Sequence, residues 1–270
     1  MFIQTGCDKS EDVITPVDEN VDKEATTSKN FVEITKALTD ANSYLKLYLD
    51  SIPPPSFCPN YFYDGSLFGA IVVTYGEFPG CTAVDNIRKS GHYILTSQSF
   101  AGGDSVYTTL SFNDFRIYKY TAPGDTNVKL NGFMNFSTKK ISGTTYNFHT
   151  SGEAVVITFD GTTKTINLSG LNGTVNYNSP NTVTDDTYSL YGSCIINDSG
   201  FGTIFNIAVS QANSLQMAGN CHYPLTGIAQ ISGSGGASCD FSPNANACDA
   251  IVKFTKGATT KTVDLSSTNF

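Results

Sequence analysis

From residue 61 onward, short runs of β-branched and aromatic residues alternate with clusters of Gly, Asn, Asp and Ser, and this punctuation constrains the fold most. Strands are expected over 67–75, 105–112, 115–120, 128–138, 153–159, 187–197, 201–210, 225–232, 251–255 and 260–265. No helical pattern lies between them, so parallel βαβ units are not expected and the sheet should be antiparallel. One helix precedes the strands. Phe31, Ile34, Leu38, Ala41, Leu45 and Leu49 recur at helical spacing, with Val32, Tyr44 and Tyr48 nearby. Asn30 and Glu33 fit a capping box, and Pro53-Pro54-Pro55 should end the helix. The expected fold class is all-β, mainly antiparallel, as a sandwich or open-barrel-like sheet with one N-terminal α-helix.

The seven cysteines divide as one plus six. Cys7 stands alone near the N-terminus, and an odd cysteine in an exported chain needs its own explanation. The stretch Phe2-Ile3-Gln4-Thr5-Gly6-Cys7 reads as the end of a lipoprotein signal peptide, with small Thr5 and Gly6 before the cysteine that takes the lipid. Gln4 departs from the usual Leu. Residues 1–7 are therefore expected to be a signal remnant ending at lipidated Cys7. Residues 8–24 carry seven acids against Lys9 and Lys23, which leaves −3 of the net −8 for the rest. With its Ser and Thr, the stretch 8–29 should be a disordered acidic tether. Ser10-Glu11-Asp12 is similar to acidic signals that send such lipoproteins to the cell surface. The body, 30–270, is read as a single β-rich domain.

Cys58 and Cys81 flank the first strong strand and its return, and Cys221 and Cys248 flank another pair. Cys194 and Cys239 then remain for each other. Three disulfides imply an oxidising compartment. The cysteines show no Cys-x-x-Cys spacing, and His92, His149 and His222 are scattered, so no metal or other cofactor is expected. No basic stripe exists, which argues against nucleic acid. No apolar run reaches the roughly eighteen residues of a membrane helix, so attachment to a membrane would be through a lipid, expected on Cys7, or through a partner.

An internal echo links Phe159-Asp160-Gly161-Thr162 through Ser169 with Phe254 through Ser266. Both read as strand, glycine turn, strand, and suggest an internal duplication. The second copy should have the longer turn.

The C-terminal third resembles an uncharacterised β-rich lipoprotein family of Bacteroidetes-type bacteria. The residues that carry this are Cys221-His222-Tyr223-Pro224-Leu225-Thr226-Gly227-Ile228, Cys248-Asp249, Lys256-Gly257 and Thr262-Val263-Asp264-Leu265. Asp240-Phe241 sits where the family has an Asp-Phe-Gly segment, but Ser242 replaces its Gly. Asp185-Asp186 before Tyr188 and Tyr75-Gly76 before Cys81 extend the likeness. It implies a β-rich exported lipoprotein of unknown activity and supplies no catalytic residue; the expected location is the outer membrane, exposed at the cell surface. It also makes Cys194 and Cys239 additions to the pattern, in keeping with their pairing.

Hydrolase, zincin, Walker and EF-hand motifs are all missing. Asp185-Asp186 is the best carboxylate pair, and reads as a solvated turn. Tyr61, Phe62 and Tyr63 could form a stacking platform for a glycan, although the chain has no Trp. Asp50-Ser51-Ile52 and Asp104-Ser105-Val106 are similar to bacterial O-glycosylation sequons. The expected role is binding or structural work at the cell surface, toward a glycan or another envelope protein. A polysaccharide hydrolase and a purely structural envelope component are the alternatives.

Overall fold

The computed structural model describes residues 19–53, 58–65, 70–99, 105–118, 127–151, 154–159, 161–179, 181–233, 235–244 and 247–268. Residues 1–7 with Cys7, residues 8–18, Asp104 and Asp160 lie outside them.

Helix α1 runs Glu19–Leu49. It begins inside the stretch expected to be a tether, so that expectation fails for 19–29. The reason is burial: every residue from Glu24 to Leu45 is buried, Ser, Thr and Lys included. Asn30 does not cap the helix. It lies mid-helix, where its side-chain amide donates to the Thr26 carbonyl at 2.8 Å. At the other end Ser51 adopts φ +58°. The amides of Asp50, Ser51 and Ile52 close on the carbonyls of Lys46, Tyr48 and Leu47.

The strands are β1 Asn60–Asp64, β2 Ala70–Thr74, β3 Cys81–Thr82, β4 Arg88–Ser99, β5 Ser105–Tyr118, β6 Asn127–Ser142, β7 Thr145–Ser151 and β8 Ala154–Phe159. They continue with β9 Thr162–Asn176, β10 Thr187–Asp198, β11 Thr203–Val209, β12 Leu215–Ala218, β13 Ile228–Ser232, β14 Ala237–Asp240, β15 Ile251–Lys256 and β16 Thr259–Asp264. All sixteen belong to one antiparallel sheet, running β1-β2-β4-β5-β6-β7-β9-β10-β11-β13-β14-β15-β16. Long strands serve two short partners side by side. β7 and β8 together span the gap between β6 and β9, and β11 and β12 share one edge of β10. The expected strands 115–120 and 105–112 are one strand, β5, with a bulge between Phe112 and Phe115 where Asp114 has φ +53°.

One face of the sheet is apolar. Phe136, Leu110, Ile157, Ile166, Ile196, Phe205 and Val252 are all buried on it, and they join helix residues Phe31, Ile34, Leu38, Ala41 and Leu45 in a single core. The opposite side of the helix meets loops and strand ends, as described below.

The echoed hairpins are both present, and both turns are equally short. Phe159 pairs Thr162, and Lys256 pairs Thr259, with Gly161 and Gly257 at φ +76° and +57°. The extra residues of the second copy lengthen its strand and leave its turn unchanged.

Two of the three expected disulfides exist, Cys58–Cys81 and Cys221–Cys248. Cys194 and Cys239 are buried free thiols. Cys194 lies on β10 and Cys239 on β14, with β11 and β13 between. Three inter-strand spacings amount to about 14 Å, far beyond the roughly 6 Å between Cα atoms that a disulfide spans. Burial pushes both thiols up from their ordinary range, which leaves them unreactive. Reduction of the folded body should therefore add four hydrogens, two per bridge. Alkylation of Cys194 and Cys239 should appear only after denaturation. Six added hydrogens by intact mass would contradict the assignment.

Candidate functional site

The apolar stripe of α1 has a polar counterpart at the same spacing: Lys29, Glu33, Lys36, Asp40 and Ser43. All five are buried. Their partners come from loops and strand ends. Lys29 Nζ donates to the Thr268 carbonyl at 2.8 Å and Lys36 Nζ to the Gly219 carbonyl at 2.9 Å. Gly219 permits this because its loop is pressed on 183–186, where a Cβ would overlap the Val183 carbonyl.

At the centre is a cluster of six charges. Lys36 Nζ lies 2.8 Å from Asp40 Oδ1, and Lys89 Nζ lies 2.8 Å from both Asp40 Oδ2 and Asp85 Oδ2. His222 Nδ1 is 3.0 Å from Asp85 Oδ2, and its Nε2 is 2.9 Å from Glu33 Oε2. Three acids face three bases, so the cluster is neutral when His222 is charged. Burial alone would lower the imidazole; Glu33 and Asp85 overcome it and raise it to about 9. Burial likewise opposes ionisation of Asp85, yet the Lys89 charge and the His222 contact hold its carboxyl well below the carboxylate range. The same carboxylates keep Lys89 charged despite its burial.

This geometry decides what His222 can do. Both ring nitrogens face carboxylates, and among the described residues no nucleophile touches either one. Raised to about 9, the imidazole is charged at neutral pH and serves as an ion-pair partner of Glu33 and Asp85.

Two cavities stand out among the described residues, and one of them is lined by the helix. The larger, about 350 Å³, lies between the β3–β4 turn and the β15–β16 hairpin, with His222, Asp85, Tyr223, Ile87, Asp249 and Asp264 in its wall. Its charged groups all have protein partners. Asp249 accepts from the Ile251 amide and the Asn244 side chain, and Asp264 from the Ser266 amide and hydroxyl.

The smaller cavity, about 250 Å³, lies beside the C-terminal end of α1. Asn42, Leu45, Lys46 and Leu49 line it from the helix. The sheet contributes Val106 of β5, Thr138 and Lys140 of β6, Tyr146 of β7 and Tyr177 just past β9. Register places them: Lys140 pairs Tyr146, and Val106 pairs Thr138. The rings of Tyr146 and Tyr177 meet at 5.1 Å and 70°, forming an aromatic corner. Asn42 Nδ2 donates to Tyr177 Oη at 2.7 Å and Tyr188 Oη at 3.0 Å. Lys46 pairs with Asp50. Exposed Lys140 has no partner among the described residues, the only such charged group lining either cavity.

The expected glycan platform is dispersed. Tyr61 is buried against Tyr44 and Tyr48, at 6.4 and 6.3 Å, with its hydroxyl donated to the Ile52 carbonyl. Phe62 and Tyr63 are exposed. As neighbours in strand β1 they point to opposite faces, so no three-ring surface forms. Asp186 is not a solvated turn residue. It is buried and accepts from Ser43 Oγ at 2.5 Å, while Asp185 accepts from Ser179. Burial, then the charge of Asp185, raises Asp186 to about 7 against Ser43, Lys46 and Lys36, which lower it. His149 Nδ1 meets Asn172 Oδ1 at 2.8 Å on the exposed side. The described residues hold no group of three or more potential metal ligands. The sequence reading missed Glu33, Lys36, Asp40, Lys89 and Asp85. The signal available was the buried-helix spacing 29-33-36-40-43, repeated beside the apolar one.

Comparison with known proteins returned no match among family models, curated proteins or solved structures.

Two titrations follow. A raised imidazole contributes stability fully below its ordinary value of 6.5 and loses it as pH climbs through about 9. His222→Ala should cost about 3–5 kcal/mol at pH 6 and flatten the fall in stability up to pH 9, measured by chemical denaturation. An unchanged pH slope would refute the assignment. Asp186 also binds its proton more tightly when folded, so its ionisation lowers stability as pH rises from 3.8 to about 7. Asp186→Asn should match the wild type at pH 4 and exceed it at pH 8, by on the order of 1 kcal/mol or more.

Proposed function

We propose that this chain is a cell-envelope lipoprotein, anchored through Cys7, whose β-rich body binds a carbohydrate at the cell surface. The smaller cavity carries the reading. It combines an aromatic corner, an amide, a hydroxyl and a positive charge without a partner among the described residues with apolar walls, the mixed lining of a ligand site. A binder fits better than a hydrolase. The carboxylates of the larger cavity are held by Lys89, His222 and backbone amides, and its histidine is charged at neutral pH as their ion-pair partner. The two disulfides support an exported protein, as do the sequence around Cys7 and the acidic residues that follow it.

Fatty-acid labelling of the protein expressed from its own locus should mark the wild type and not Cys7→Ser. Cys7→Ser should also leave the membrane fraction. Equal labelling, or none in either, would remove the lipoprotein reading and leave the cavity's chemistry untouched.

A further inference from the structure

We infer that the smaller cavity selects a single terminal sugar ring bearing a carboxylate, a hexuronate-like residue; this rests on the carbohydrate-binding reading above. Size limits the ligand first. At about 250 Å³ the cavity is below the roughly 300–1,000 Å³ of drug-sized sites, so one ring fits and an extended chain does not.

Charge sets the second limit. Lys46, Asp50 and Lys140 line the cavity, and only Lys46 and Asp50 neutralise each other. Among the described residues the charge that remains is the exposed Lys140 ammonium, in the lining where an incoming carboxylate would arrive. The end of α1 does not cancel it. Its terminal carbonyls of Lys46, Leu47 and Tyr48 accept from Asp50, Ile52 and Ser51, which spends their partial negative charge locally.

The remaining lining separates a sugar from a flat aromatic acid. Lys46 Nζ already sits 5.4 Å from the Tyr177 ring centroid, so half-buried Tyr146 is the ring left to carry the C–H face of a pyranose. Thr138 is buried at the cavity wall, and its hydroxyl makes no hydrogen bond among the described residues. A sugar ring seated on Lys140 offers it a ring hydroxyl as partner, whereas the C–H edge of an aryl ring offers none.

The test is ligand-observed NMR and calorimetry on the full chain with methyl glucuronide, methyl glucoside and benzoate, in low and high salt. Methyl glucuronide should bind about tenfold tighter than methyl glucoside in low salt. The preference should collapse toward one in Lys140→Ala, an exposed change that leaves the denaturation midpoint unmoved, and should shrink in high salt. Equal binding of both sugars would overturn the carboxylate selection and keep the carbohydrate reading. Binding of benzoate alone would overturn both, as would no binding by any of the three probes.

Discussion

The buried ion cluster around Asp40, Lys89, Asp85 and His222 is the interaction on which the rest of the structure depends. A helix carrying Lys29, Glu33, Lys36 and Asp40 would ordinarily keep that face in water. Burying it is tolerable only because every charge meets an opposite charge or a carbonyl at hydrogen-bonding distance. Complementarity also fixes position. An apolar stripe can slide along a sheet at modest cost, whereas Lys36, Asp40 and Glu33 accept only one axial setting of α1 against residues 85–89 and 219–222. The two disulfides tether the same loops. Cys81 leads into the β3–β4 turn that carries Asp85, and Cys221 adjoins His222.

The β-rich architecture was legible because its signals are local. Alternation, glycine turns and the Asp160-Gly161 type of connection act within a few residues, and β5, β6, β10 and β15 lie where those patterns point. The start of α1 was not legible. Thr26, Thr27, Ser28 and Lys29 carry a composition that suits solvent, and only contacts with the far end of the chain make it suitable for the interior. Pairing Cys194 with Cys239 failed for a related reason: elimination ignores the two strands that separate them. The smaller cavity is assembled from α1, β5, β6, β7 and the end of β9, so no window of sequence contains it. The aromatics that stand adjacent in sequence, Tyr61 to Tyr63, are those that strand geometry forces apart.

The two cavities divide labour by how their polar groups are spent. Around His222 the charges are closed on one another, which holds the helix in place. Around Tyr146 and Lys140 the groups stay open.

The placement of α1 ahead of all its strands has a kinetic consequence. Lys29 meets Thr268 across 239 positions, and Glu33 and Lys36 wait for residues 219 to 222. Until those partners arrive, the helix exposes a charged stripe and an apolar stripe with no stable resting place. Contacts of this span make folding slow and late, because a long loop must close before any of them is gained. The sheet can assemble through neighbouring hairpins, but its apolar face stays uncovered until the helix is seated, so the last step of folding hides the surface most prone to aggregation.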